Sequence, residues 1–573
     1  MNDEHSSKNM EEIMGKLENY THVLLKPEMA RMRALSKAIG YDDEDIHRPR
    51  IGIQNTWSET AAGHVHLKQL TEQVRAGILQ AGGVPIEFGG YGGCPISLGE
   101  NGHRYDTPSR DIMAMDVETC AQLHTFDGLV LLSSCDKNVP AHLLAAARID
   151  LPTIIVVGGP MQSGRFQCRK VDMSDLDPFS WRCETNPENV DFENVQEMTE
   201  CLCPGPGSCA LLGTANTMQS ITEALGMALP GNATTCAGTS QLLRLAKRAG
   251  RRIVELVDQD VRARQIMTPE AMENAIHILH AIGGGTNAIV HVLALAKELD
   301  MLDRINLPLI EKLGMDTPCI TPIKPSGPFH LEDLGEAGGI QAVMKRLGDR
   351  IHRDCMTVNG KTVGENVDEA QIVLPEIIRP LDRPVFSEGL YVLHGNLADS
   401  AIVRPTVVSK RMFDVTGPAR VFEGMEECLD ALREHKINAG DMIVLRYEGP
   451  KGGPGLPDVF KVMGYLVALN LHEQCAVITD GKVSGFAKGP FVCQVTPEAA
   501  VGGNIALVEE GDQIHLDLNN RKLELLVSDE ELEARRKVWK PRSCRAKSGL
   551  LTLYAKLALP ATQGAGISLR IDE

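Results

Sequence analysis

The sequence predicts an α/β protein in two parts. A doubly wound α/β/α domain spans residues 1–380, and a β-rich domain spans residues 385–573. Three observations predict this. Short apolar runs alternate with helical stretches in the first part, as they do when crossover helices cover parallel strands. Three prolines then fall within the eleven residues from Leu374 to Pro384, where the composition changes. Beyond them, strand-like runs separated by glycine turns dominate. A chain of 573 residues is also too long for one core.

Taken in order, residues 1–47 read as a helical docking arm, with Leu24, Leu25, Met29, Met32, Leu35 and Ile39 at roughly helical spacing. Arg50–Asn55 reads as a strand entering the turn Ser58–Leu67, and a helix runs from Leu70 to Ala81 before Gly82-Gly83. The strand Val84–Phe88 leads into a glycine-rich loop, Gly89–Glu100, and a helix covers Arg110–His124. The apolar run from Phe126 to Leu132 reads as a buried parallel strand that ends at Ser133-Ser134-Cys135-Asp136-Lys137. Open α/β sheets hold ligands at such carboxyl ends. Thr153–Val157 is a further strand, and the acidic residues 170–200 read as an irregular surface excursion. Helices follow over Leu211–Leu225 and over Ala271–Leu299, the latter broken by Gly283-Gly284-Gly285-Thr286-Asn287. Glycines are costly inside a helix, so this break predicts a close approach to a ligand or another segment. In the second part, strands are expected at Leu390–Leu393, Ala419–Phe422, Met442–Leu445, Ala476–Thr479 and Gln513–Leu518. Helices are expected over Met425–Glu434 and Gly549–Leu559.

The totals narrow the function. A net charge of −18 argues against a nucleic-acid surface, which needs clustered lysine and arginine. Met1–Glu12 is polar and lacks the apolar segment of an export signal, and no apolar run reaches membrane-spanning length. A cytoplasmic protein is expected. Its fifteen cysteines then read as free thiols with a few metal ligands.

Cys94, Cys135, Cys201, Cys203 and Cys209 stand in Gly/Pro-rich turns or at strand ends. Cys201-x-Cys203 is too tight for an ordinary zinc knuckle, but dispersed thiols gathered by the fold suit soft iron. Glu100, Asp136 and Asp458 sit in or beside turns that can aim a carboxylate at Mg²⁺. The run Tyr447–Asp458 superficially resembles a phosphate cradle, without the P-loop spacing or its Lys-Ser/Thr pair. Ser484 lies between a strand and a glycine turn, outside the hydrolase elbow pattern. It could act as a base only beside a strong cation.

Five motifs in order then resemble the dihydroxy-acid and sugar-acid dehydratase (IlvD/Edd) family. They are Ser134-Cys135-Asp136-Lys137, Gly207-Ser208-Cys209 with Gly213–Met218, Gly284–Asn287, the Gly/Pro run 449–455, and Thr479–Gly485. The resemblance implies a barrel-like second domain, with the site between the domains. It implies a hydro-lyase that turns a 2,3-dihydroxy carboxylate into a 2-keto-3-deoxy acid. By resemblance, Cys135 and Cys209 hold an iron–sulfur cluster. Glu100, Asp136, Asp458 and a carbamylated Lys137 hold Mg²⁺, and Ser484 removes the C2 proton. A homodimer or homotetramer is implied as well.

The sequence departs from the family at three points. Members with a three-cysteine [2Fe–2S] site carry a cysteine where this chain has Gly63, with His64 or His66 as conceivable substitutes. This favours [4Fe–4S] over [2Fe–2S], with Cys94, or else Cys203, as the third ligand. Lys482 stands where many relatives have arginine, and Asp458 where many have glutamate. Branched-chain enzymes usually carry Asp-Gly-Ile where this chain has Cys94-Pro95-Ile96, and the Ser97-Leu98-Gly99-Glu100 that follows looks like sugar-acid dehydratases, whereas Gly63–Leu67 and Thr107–Arg110 look like branched-chain enzymes. An aldonic or related sugar acid is the expected substrate, and a branched-chain dihydroxy acid the alternative. Two rivals remain: a zinc-stabilised binding protein built on Cys201, Cys203 and Cys209, and a family member that has lost activity.

Overall fold

The computed structural model describes residues 23–94, 102–483, 485 and 487–568. Its first sheet has four parallel strands, β1 (Arg50–Asn55), β2 (Val84–Gly89), β3 (Gly128–Ser133) and β4 (Thr153–Val157). Their order is β2-β1-β3-β4. The winding therefore reverses between β1 and β3, and the crevice at their carboxyl ends is where a doubly wound sheet takes its ligand. β1, β3 and β4 are buried along their whole length, which matches their unbroken apolar character. The Leu67–Gln80 helix packs beside Ser240–Asp258, and glycines bring them together. A Cβ on Gly77 would lie 2.2 Å from the Lys247 carbonyl, and one on Gly250 would lie 2.2 Å from the Val74 carbonyl.

A hairpin follows, β5 (Gly164–Phe166) with β6 (Arg169–Val171). The acidic excursion after it is not irregular. It forms helices Met173–Thr185 and Phe192–Cys201. Asp172 caps the first, accepting from the Ser174 amide at 2.8 Å, while Asp175 returns a bond to the Asp172 amide at 2.8 Å. The broken helix after it also appears as expected, as Pro269–Ala281 and Asn287–Glu298. A Cβ on Gly284 would meet Leu279 at 2.6 Å and Thr217 at 2.7 Å, so the break allows two helices to close up. The arm before β1 is helical in short pieces, with α-helices over Ala30–Ala38 and Asp43–Ile46 and a 3-10 turn over Pro27–Met29, and Leu35 and Ile39 face solvent.

The second sheet has eight strands: β7 (Tyr391–Leu393), β8 (Ser400–Val403), β9 (Asp414–Phe422), β10 (Met442–Leu445), β11 (Ala476–Thr479), β12 (Phe491–Thr496), β13 (Gln513–Asp517) and β14 (Lys522–Leu525). They run in the order β14-β13-β9-β10-β11-β12-β8-β7. The neighbours from β9 to β12 are parallel and the flanking pairs antiparallel. A bridge between His394 and Lys522 draws the two edges together, giving a nearly closed barrel. Its interior holds Leu393, Val403, Val444, Ile478, Val492 and Leu516, all buried.

Parallel strands need crossovers, and here these are the expected Met425–Arg433 helix and an unforeseen one, Phe460–Ala468. The Phe460–Ala468 helix packs against Met173–Thr185, and the Trp181 and Tyr465 rings lie 5.0 Å apart. The C-terminal helix Gly549–Leu557 returns to the Gly102–His124 helix, where Asp111 accepts from the Ile567 amide at 2.9 Å. The two sheets are therefore tied by elements from both ends of the chain. Among the described residues, no helix is long and apolar enough to cross a membrane.

Candidate active site

The Gly102–His124 helix supplies the centre. Its apolar stripe of Ala121, Val117, Ala114 and Met113 faces the core. Continued toward the N-terminus at helical spacing, the same face carries Arg110, Asp111, Thr107, Asp106 and His103, all buried. Buried charges need partners. Arg110 pairs with Asp111 at 2.9 Å. Asp106 takes two lysines, one from each half of the chain: Lys137 at 3.2 Å and Lys482 in closer contact.

Lys137 opens the helix that follows β3, and the Asp136 carboxylate is also 3.9 Å from its amine. Burial works to lower the Lys137 pKa, but Asp106, Asp136 and Asp458 outweigh it and hold the ammonium charged. Lys482 goes the other way: burial dominates, and the neighbouring Lys137 adds to it, so its pKa falls despite Asp106. Asp458 joins from the Gly/Pro run, and burial raises its carboxyl to about 6 against the pull of Lys482. One Asp458 oxygen accepts from Asn287 at 3.1 Å, while the other is buried with no hydrogen-bond partner among the described residues. Asn287 also donates to Thr214 at 3.1 Å, tying the glycine break to the start of the Thr214–Ala224 helix.

The thiols form the second cluster. Cys135 is buried at the carboxyl end of β3, and its hydrogen-bonded neighbour Cys94, then burial, push its pKa well up. Burial raises Cys209 likewise, with Cys94 the next cause. Cys203 is exposed and acts on Cys209 only from a distance. A Cβ on Gly63 would lie 2.4 Å from the Cys135 sulfur, so the loop after β1 touches this cluster at a position with no side chain.

Both histidines of this loop are held by hydrogen bonds to backbone. The His64 Nδ1 faces the Thr56 carbonyl at 2.7 Å, and its Nε2 accepts from the Cys135 amide at 3.3 Å. Burial lowers its pKa to about 4, so it is a neutral ring that orients the Cys135 backbone. The His66 Nε2 faces the Gly158 carbonyl at 2.8 Å.

The structure thus gathers Cys94, Cys135 and Cys209 at one place and Asp136, Lys137 and Asp458 beside it. No three His, Cys, Asp or Glu side chains among the described residues close to metal-binding distance. Glu100 and Ser484 lie outside the described residues. The sequence reading missed Asp106. The signal available was the apolar stripe of a helix continuing without a change of phase into charged residues.

Two family models match the chain: dihydroxy-acid/6-phosphogluconate dehydratase N-terminal over residues 48–366, and the corresponding C-terminal model over residues 376–565. A dihydroxy-acid dehydratase of Ignicoccus hospitalis is 44% identical over 95% of this chain and 99% of its own length. One of Methanothrix thermoacetophila is 44% identical over 94% and 98%, and one of Syntrophobacter fumaroxidans is 43% identical over 95% and 98%. With both models matched in order and relatives aligned along nearly their whole length, the chain belongs to the dihydroxy-acid/6-phosphogluconate dehydratase family and is a hydro-lyase.

Proposed function

We propose that the enzyme dehydrates a branched-chain 2,3-dihydroxy acid to the 2-keto acid, rather than the sugar acid that the Ser97–Glu100 loop suggested. The observation that carries this reading is the match to relatives named dihydroxy-acid dehydratase across 94–95% of the chain. The surroundings of Asp458 support it. Leu456, two residues before Asp458, packs with Val290 and Ala565 in a small buried apolar cluster, so the chain around that carboxylate is apolar.

The donor sets fit the two groups that the family implies. Cys94, Cys135 and Cys209 are the proposed iron–sulfur ligands, with the exposed Cys203 set aside. Asp136, Asp458, Glu100 and carbamylated Lys137 are the proposed Mg²⁺ ligands, and the unpartnered Asp458 oxygen is the observation that suits a cation. Bound there, the two groups would supply Lewis acidity to the leaving 3-hydroxyl and to the carboxylate with its 2-hydroxyl.

The protein's own residues supply the rest. Ser484 takes the C2 proton, the C3–O bond breaks with loss of water, and the enol that forms tautomerises to the ketone. Carbamylation would turn the Lys137 cation into an anion beside three carboxylates, which only a bound cation can balance. Lys482 would then remain as the partner of Asp106.

The test is anaerobically purified enzyme with Mg²⁺, assayed on 2,3-dihydroxyisovalerate and on arabinonate, xylonate and gluconate. The branched acid should exceed every aldonate in kcat/KM by about 100-fold or more, a margin set by mismatching buried polar and apolar groups. Faster turnover of an aldonate would restore the sugar-acid reading.

A further inference from the structure

A cavity of about 410 Å³ opens between the Gly/Pro run of the barrel domain and the chain that leaves that domain. None of the side chains gathered at the candidate active site lines it. Its wall carries Lys451 from the run, Arg542 and Arg545 from the irregular segment 540–548, and Thr552 and Lys556 from the Gly549–Leu557 helix. Among the described residues, no carboxylate lines it. Segment 540–548 holds four lysines and arginines and no acid, in a chain whose net charge is −18. A concave surface lined by one sign of charge focuses its potential and draws in ions of the other sign.

The nearby acids do not cancel this charge. Arg542 lies 3.0 Å from Glu423, which Arg446 already holds at 2.6 Å. Arg545 lies 3.2 Å from Glu448, which Arg104 already holds at 3.0 Å. Each carboxylate thus serves two arginines, and either cavity guanidinium could turn to a ligand without leaving its acid unpaired. Lys451 acts on Glu498 only at longer range, and that carboxylate already accepts from the Lys451 and Gly452 amides at 3.1 and 2.9 Å. Lys556 makes no ion pair among the described residues, and the Thr552 hydroxyl has no hydrogen-bond partner among them. Arg542 is braced across the Tyr447 ring, 4.7 Å from its centre.

We propose that this cavity is a binding site for a small organic dianion, a phosphate ester or a dicarboxylate, apart from the site of dehydration. Guanidinium forks match the paired oxygens of both groups. The volume falls within the range of roughly 300–1,000 Å³ usual for small-molecule sites and far exceeds the roughly 30 Å³ that one water occupies, so it suits a molecule and not a single small ion. Cations on three separate segments suit a ligand charged at more than one place. The site does not depend on which dihydroxy acid is the substrate or on which residue removes its proton.

The experiment titrates glycerol 3-phosphate, succinate and, as a monoanion, acetate into the anaerobically purified holoenzyme by calorimetry at constant ionic strength. A dianion should saturate one site per chain, at least about 10-fold more tightly than acetate. The tighter of the two dianions distinguishes a phosphate ester from a dicarboxylate. Lys451→Gln combined with Lys556→Gln should weaken that binding about 10-fold, the sum of two partly exposed charge contacts. Each lysine is also replaced singly, and the thermal midpoint of every variant is measured without ligand, so that loss of binding is read only from folded protein. Asp458→Asn, at the dehydration site, should leave the binding unchanged. Binding that survives both lysine substitutions, or that is lost in Asp458→Asn, would place the anion elsewhere and overturn the site. Acetate binding as tightly as the dianions, or no saturable binding of either dianion, would overturn it as well.

Discussion

Lys137 and Lys482 come from different halves of the molecule, meet the same carboxylate, and have their pKa values moved in opposite directions. Lys137, at the carboxyl end of the parallel sheet, is surrounded by Asp106, Asp136 and Asp458, and its ammonium is stabilised. Lys482, at the barrel end, gains from Asp106 and Asp458 but faces Lys137 as well, and burial prevails. The comparison shows that burial alone does not set the charge of an amine; the local balance of acids and bases does. It also shows that the two halves are joined by an ion pair, Asp106 with Lys482, that neither half supplies alone.

The largest expected effect follows from removing the shared carboxylate. Asp106→Asn should cost about 3–5 kcal/mol in denaturant unfolding, because it takes away the carboxylate with which the buried Lys482 is paired and leaves that amine beside Lys137. Adding Lys482→Met should recover at least about 1 kcal/mol of that loss. A double variant no more stable than Asp106→Asn would show that Lys482 is not paired across the junction.

A smaller effect tests the other cluster. Gly63→Ala puts a methyl group on the Cys135 sulfur, which must then shift. It should cost about 1–3 kcal/mol and lower the iron bound per chain, while Gly205→Ala, at an open position, should change neither. Unchanged iron in Gly63→Ala would separate the loop after β1 from the thiol site.

The smallest effect is a control within one half. Asp172 is buried with His330 at 2.9 Å and Lys324 at 3.1 Å. Burial works to raise its carboxyl pKa, but the His330 hydrogen bond, Lys324 and Ser174 outweigh it and hold it well below the usual range. A depressed carboxyl stabilises the fold above its unfolded value of about 4, and the benefit is lost as pH falls toward the folded value. Asp172→Asn should therefore be about 1–2 kcal/mol less stable than the parent at pH 7, with the gap closing below about pH 4. Its kcat should not change. A gap independent of pH would mean that the charge of Asp172 contributes nothing.

What the sequence made legible was local. The strand ending in Cys135-Asp136-Lys137 stood out because an unbroken apolar run predicts burial and the polar residues after it mark a sheet's ligand end. Asp458 and the glycine break stood out through their turn chemistry. Asp106 did not, because a carboxylate two residues before Pro108 in a helix reads as a solvated face. The Met173–Thr185 helix was hidden by its acidic composition, although the Asp172 and Asp175 cap was present in the sequence. The substrate loop and the relatives point different ways: four residues resemble sugar-acid dehydratases, whereas relatives aligned along nearly the whole chain are named dihydroxy-acid dehydratase.

The most direct test of the site is to measure iron content and turnover together in Cys94→Ser and Cys203→Ser. The account predicts that Cys94→Ser loses both while Cys203→Ser keeps both, because Cys94 contacts Cys135 and Cys203 stands in solvent. Iron and turnover lost in Cys203→Ser but kept in Cys94→Ser would contradict it.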